Sequence, residues 1–80
     1  MENEFKTRDL YIASMLYALG KKLSSTEKVR NTYWFGFENF KDCDEIVNLY
    51  WKDQVDVNAS KFIEAIKKLK TMIFNKSDIG

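Results

Sequence analysis

Leu10-Tyr11-Ile12-Ala13-Ser14-Met15-Leu16-Tyr17-Ala18-Leu19 is the stretch whose reading decides the fold. Ser14 is its one polar side chain that is not aromatic. A helix on the surface of a small domain keeps one polar face toward water, and this stretch has none to offer. Its surroundings mark it as a helix all the same. Thr7 stands before it as a candidate N-cap, with Asp9 placed for the first turn. Gly20 follows as a candidate left-handed stop, and Lys21 and Lys22 suit the carbonyl end of the dipole. Such a helix needs cover on more than one side, from the rest of the chain or from a second chain.

The residues that follow supply that cover in recognisable pieces. Leu23 to Glu27 reads as a weak strand. Thr32 to Glu38 reads as a strong one, with Tyr33, Phe35 and Phe37 on one face and Trp34, Gly36 and Glu38 on the other. Between them, Lys28-Val29-Arg30-Asn31 is polar enough for a hairpin loop, although no Asn-Gly or Asp-Gly pair marks it. A second helix is expected from a capping box at Asp42-Cys43-Asp44-Glu45, with Phe40 packing back near Ile46 and an apolar stripe of Ile46, Leu49 and Tyr50 beside Val47 and Trp51. Val55-Asp56-Val57 is a short extended link that can add a brief third strand. Asn58 caps a third helix whose stripe is Phe62, Ile66, Leu69 and Ile73, with Lys61, Glu64, Lys67, Lys68 and Thr71 opposite. The expected fold is a single α+β domain over residues 1–76, in the order α-β-β-α-(short β)-α. An antiparallel hairpin packs against the three helices, and residues 77–80 form a frayed tail.

Composition narrows the function classes. The chain has 80 residues, 45% hydrophobic and 31% charged, with twelve aromatics, which is the profile of a folded domain rather than a disordered one. Its longest apolar run is too short to cross a bilayer, and Met1-Glu2-Asn3-Glu4 lacks a signal-peptide segment, so a cytoplasmic location is expected. The single Cys43 fits a reducing compartment and cannot pair internally. There is no histidine, which removes the commonest general base and metal ligand and every Ser-His or Cys-His nucleophile. Asp42, Asp44 and Glu45 read as a dipole-matched helix start rather than a magnesium site, and the isolated glycines make no phosphate loop. The protein is therefore expected to be non-enzymatic, with no catalytic, cofactor-binding or metal-binding residue.

Charge is unevenly placed despite a net value of +1. Residues 38–58 carry six acids against two lysines, and residues 59–76 carry five lysines against Glu64. These segments can neutralise each other within the fold, or the basic one can face an anionic partner.

The order Phe5-Lys-Thr7-Arg-Asp9-Leu10, Ala13-Ser14, Leu19-Gly20, then Trp34-Phe35-Gly36-Phe37-Glu38, Tyr50-Trp51, Val55-Asp56-Val57, Phe62 and Ala65 to Lys70 resembles a family of small prokaryotic proteins catalogued only as a domain of unknown function. The resemblance runs over residues 5–74. It implies a bacterial, plasmid or phage origin and brings no activity, ligand or catalytic residue. Two positions depart from the family pattern. Lys21 stands where an apolar residue is usual, and Asn58 where a proline is common.

The expected function is a small binding protein acting through protein–protein contacts and associating with itself, as a homodimer. The surface proposed for it comprises Tyr11, Met15, Ala18, Trp34 and Trp51. Surplus aromatics of this type are enriched at interfaces. A phage or plasmid protein that blocks a host machine by occlusion would fit this size. The alternative is a nucleic-acid or anionic-nucleotide binder using Lys21, Lys22, Lys28, Arg30 and Trp34 together with Lys61, Lys67 and Lys68 of the third helix. No membrane partner is expected.

Overall fold

A computed structural model describes residues 3–79, with side chains for residues 3–74. Strand β1 covers Phe5–Thr7, helix α1 Leu10–Ala18, β2 Leu23–Val29, β3 Thr32–Phe37, α2 Phe40–Trp51 and α3 Ala59–Ile79. The α+β class, the three helices and the hairpin are as expected. The sheet's third strand, however, comes from the N-terminus. Phe5-Lys6-Thr7 pairs antiparallel with β3, so the strand order is β1-β3-β2. Residues 54–58 are an extended link without strand structure. The reason is positional: Phe5 lies opposite Phe37 and Thr7 opposite Phe35. Pairing there completes the apolar face of β3, while Val55 of the link packs against the core without forming a strand. The expected tail at 77–80 falls on residues whose side chains lie outside the described ones.

Helix α1 begins two residues later than Thr7 suggested. Asp9 is its N-cap, accepting from the amides of Tyr11 at 2.8 Å and Ile12 at 3.1 Å. Thr7 belongs to β1, and its hydroxyl accepts from the Asp9 amide. A carboxylate can accept from two orphan first-turn amides and also suits the positive end of the helix. At the other end Gly20 has φ 94°, as a C′ glycine should. The Gly20 amide donates to Tyr17 O and the Lys21 amide to Leu16 O, the paired bonds of a Schellman stop.

The hairpin turn is Arg30-Asn31, with positive φ at Arg30 alone among the two, the pattern of a type II′ turn. β2 carries one irregularity. Leu23 pairs with Phe37 and Ser25 with Gly36, so Ser24 is the extra residue of a β-bulge.

Helix α2 starts three residues before the expected capping box. Asn39 is the N-cap, held at φ 70°; its side-chain carbonyl accepts from the Asp42 amide, and its side-chain amide donates to the Asp42 carboxylate at 2.9 Å. Asparagine tolerates left-handed backbone better than most residues. Cys43, Val47, Ile46 and Tyr50 face inward, and Leu49 and Trp51 lie outside. Phe40 packs on Phe5, with ring centroids 5.8 Å apart. In α3, Asn58 caps as expected by accepting from the Lys61 amide.

The core joins Ile12, Ala13, Met15 and Leu16 of α1 to Phe35 and Phe37 of β3, Cys43 and Val47 of α2 and Leu69 of α3. Five consecutive residues of α1, Ile12 to Leu16, are buried. The helix without a polar face is thus the centre of the molecule, covered by its own chain. Tyr33, nearer the hairpin tip, is only half-buried.

Candidate interaction surfaces

The burial of α1 reshapes the surface expected for a partner. Met15 is 3% exposed and sits in the core, so Tyr11, Met15 and Ala18 do not form an accessible stripe. Met15 lies in the buried middle of α1, while Tyr11, one turn nearer its start, is exposed and Ala18 is half-buried. Trp34 lies on the face of the sheet away from the helices, half-buried and outside the core cluster, paired across the strands with Glu27. Trp51 stands at the end of α2, 65% exposed, with its ring edge-on to Tyr50 at 4.9 Å.

Sequence periodicity missed other exposed apolar groups. Ile63 and Phe74 are 51% and 65% exposed on the outside of α3. They are eleven residues apart, and three helical turns of that spacing return nearly to the same angle. Lys67 and Lys70 fall between them on the same stripe and are exposed. The signal was available: Ile63 shares its angular position with the lysine face rather than with Phe62 and Leu69. Leu49 likewise lies outside on α2.

The outer face of the sheet holds a built polar cluster. Gly36 lies near the end of the central strand β3, and the Glu4 side chain lies across it. One Glu4 carboxylate oxygen accepts from Ser24 Oγ at 2.5 Å and Ser25 Oγ at 2.7 Å. The bulge at Ser24 lets two successive hydroxyls serve one carboxylate. Lys6 lies 3.9 Å from Glu4 and 3.7 Å from Glu27. The two serine bonds, Ser24 first, lower the Glu4 pKa below its ordinary value against a smaller opposing effect of burial, and Lys6 adds to the lowering.

Two clefts open on the surface. One, of about 660 Å³, lies between Glu4, Ser24 and the start of α2 at Glu38, Asn39 and Phe40. The other, of about 230 Å³, lies where Tyr17 and Ala18 meet Lys61, Glu64 and Lys68 of α3.

The basic residues expected to gather do not form one site. Lys21 pairs with Asp42 at 3.4 Å and Lys22 with Glu38 at 3.9 Å, at the α2 end of the sheet. Lys28 lies over the Tyr33 ring at 5.6 Å, and Arg30 occupies the turn, at the opposite end of β2. Strand rise separates the two ends by about 25 Å. Lys68 is held over the Tyr17 ring at 5.5 Å, and its hydrogen bond to Tyr17 raises its pKa. Lys61 lines the small cleft and Lys67 the outer stripe.

Cys43 is fully buried, and burial is the leading cause that pushes its thiol pKa up, with Lys21 opposing and Asp42 adding. Among the described residues no three His, Cys, Asp or Glu side chains converge to hold a metal ion, and no helix is long and apolar enough to cross a membrane.

Against known proteins, residues 2–75 match the family described as Domain of unknown function (DUF5659). No curated protein matches the chain, and no solved structure does. The chain belongs to the DUF5659 family.

Proposed function

We propose that this member of the family is a small, non-enzymatic binding protein that acts through protein–protein contact and associates with itself. The observation that carries the reading is Trp51, 65% exposed on a well-formed helix beside a core that is already closed without it. A tryptophan there contributes nothing to the core, and it is the residue type most enriched where partners meet. The absence of histidine from the chain fits a role in binding rather than chemistry. A protein contact of this kind would also serve occlusion of a larger host machine by a phage or plasmid protein. The nucleic-acid alternative gains no support from the dispersed lysines, most of which are engaged with carboxylates or aromatic rings.

Light scattering over a micromolar-to-millimolar concentration series tests the reading. A mass that rises with concentration supports it, and Trp51→Ala should lower that rise. A strict monomer at every concentration would refute self-association.

A further inference from the structure

The chain carries two outward surfaces of opposite charge, each with exposed apolar groups. The first is the end of α2 and the link beyond it. Leu49 and Trp51 are exposed there, about 200° apart around the helix so that they flank its end, and residues 44–56 hold Asp44, Glu45, Asp53 and Asp56 against Lys52, a net charge of −3. The second is α3, where Ile63, Lys67, Lys70 and Phe74 make a stripe about 16 Å long. Residues 59–74 hold four lysines against Glu64, a net charge of +3.

These surfaces do not neutralise each other within the chain. The ion pairs among the described residues join Lys6 to Glu4 and Glu27, Lys21 to Asp42 and Lys22 to Glu38. None joins an acid of residues 44–56 to a lysine of α3. The substantial packing of α3 is against α1, not α2. Both surfaces are therefore left with their charge and their apolar residues facing outward.

Resting on the self-association read above, we propose that a second copy of this chain seats its acidic α2 end on the basic outer stripe of α3. Leu49 and Trp51 of one copy then meet Ile63 and Phe74 of the other, with Glu45 and Asp56 against Lys67 and Lys70. Contacts of α2 with α2, or of α3 with α3, bring like charges together and are disfavoured. The pairing of unlike surfaces gives register and orientation through charge, and affinity through the desolvated rings.

Two charge-reversed proteins test this by sedimentation at low salt. Glu45→Lys with Asp56→Lys makes both surfaces basic, and Lys67→Glu with Lys70→Glu makes both acidic. All four positions are exposed, and circular dichroism checks that the helices are kept. Each protein alone should self-associate at least about tenfold more weakly than the parent, and an equimolar mixture should recover association. The neutral versions, Glu45→Gln with Asp56→Asn and Lys67→Gln with Lys70→Gln, serve if a reversed protein fails to fold, and each should weaken association less. Reversed proteins that still associate like the parent would overturn the assignment of surfaces and leave self-association standing. Loss of association that mixing does not restore would overturn it also. A parent that is monomeric throughout removes the inference together with the reading beneath it. Parent protein that instead co-sediments with single-stranded DNA, and ceases to when Lys67 and Lys70 are reversed, would assign the α3 stripe to nucleic acid and refute the second copy as its occupant.

Discussion

The carboxylate of Glu4 occupies the space that a side chain at Gly36 would fill. A Cβ built on Gly36 would stand 2.6 Å from the Glu4 carboxyl carbon and 2.5 Å from Ser25 Oγ. The glycine is thus required by close approach rather than by backbone conformation, since its φ is not positive. It joins the segment before β1, the bulge of β2 and the centre of the sheet at one point.

Gly36→Ala should destabilise the protein by about 1–2 kcal/mol, because the added methyl displaces the Glu4 carboxylate and its bonds from Ser24 and Ser25. Urea denaturation measures it. In a Glu4→Ala background the same substitution should cost less than half as much, because the atoms it meets are then largely gone. Equal costs in both backgrounds would show that the Glu4 carboxylate is not what fills the site.

The same carboxylate makes stability depend on pH. Its folded pKa is lowered, first by Ser24, then by Ser25 and Lys6. A lowered folded pKa means that the contribution is present above the ordinary value of 4.5 and is lost as pH falls through the folded value. Urea midpoints taken from pH 6 down to pH 3 should therefore fall more steeply for the parent than for Glu4→Gln. Ser24→Ala should lie between them.

Ser14 is fully buried, and its hydroxyl has no hydrogen-bond partner among the described residues. An orphaned hydroxyl in the core costs desolvation with no return. Ser14→Ala keeps the small side chain and should stabilise by up to about 1 kcal/mol. For a domain of this size that corresponds to a rise in Tm of about 4–8 °C. A fall in Tm would mean that the hydroxyl is bonded in solution.

Cys43 should resist thiol reagents in the native protein, because it is fully buried and burial raises its pKa. Its labelling rate should rise with urea in parallel with global unfolding. Rapid labelling of the folded protein would place this thiol at the surface. Cys43→Ala, which leaves a small cavity and removes the thiol's contact with the Glu38 carbonyl at 3.5 Å, should destabilise by about 1–3 kcal/mol.

The surface was harder to read than the fold, and particular residues show why. Periodicity placed Leu49 in the stripe of α2 because it sits three residues from Ile46. The face of α2 that packs inward is set by what it meets and centres on Cys43, Ile46, Val47 and Tyr50, which leaves Leu49 at its edge, outside. Met15 looked free because α1 has no polar face, and a one-dimensional pattern does not say how many sides of a helix its own chain will cover. The lysines looked like one site because Lys21, Lys22, Lys28 and Arg30 are close in number, yet an extended strand carries them to opposite ends of the sheet. Glu4 gave no sign of its role, since its partners, Ser24, Ser25 and Gly36, come from two other strands.

By itself the sequence determined the α+β class, the Schellman stop at Gly20, the β2–β3 hairpin, the cap at Asn58 and the need of the Leu10–Leu19 helix for cover on more than one side. All of these follow from short-range rules: propensity, capping and the alternation of apolar residues. Tertiary structure alone decided that Phe5–Thr7 is the third strand, that Met15 is core, that Glu4 lies over Gly36, and which aromatic residues are left outside. Those outcomes depend on which segments far apart in the chain meet. Three residues such as Phe5-Lys6-Thr7 are too few to signal a strand until the apolar face of β3 stands beside them to be completed.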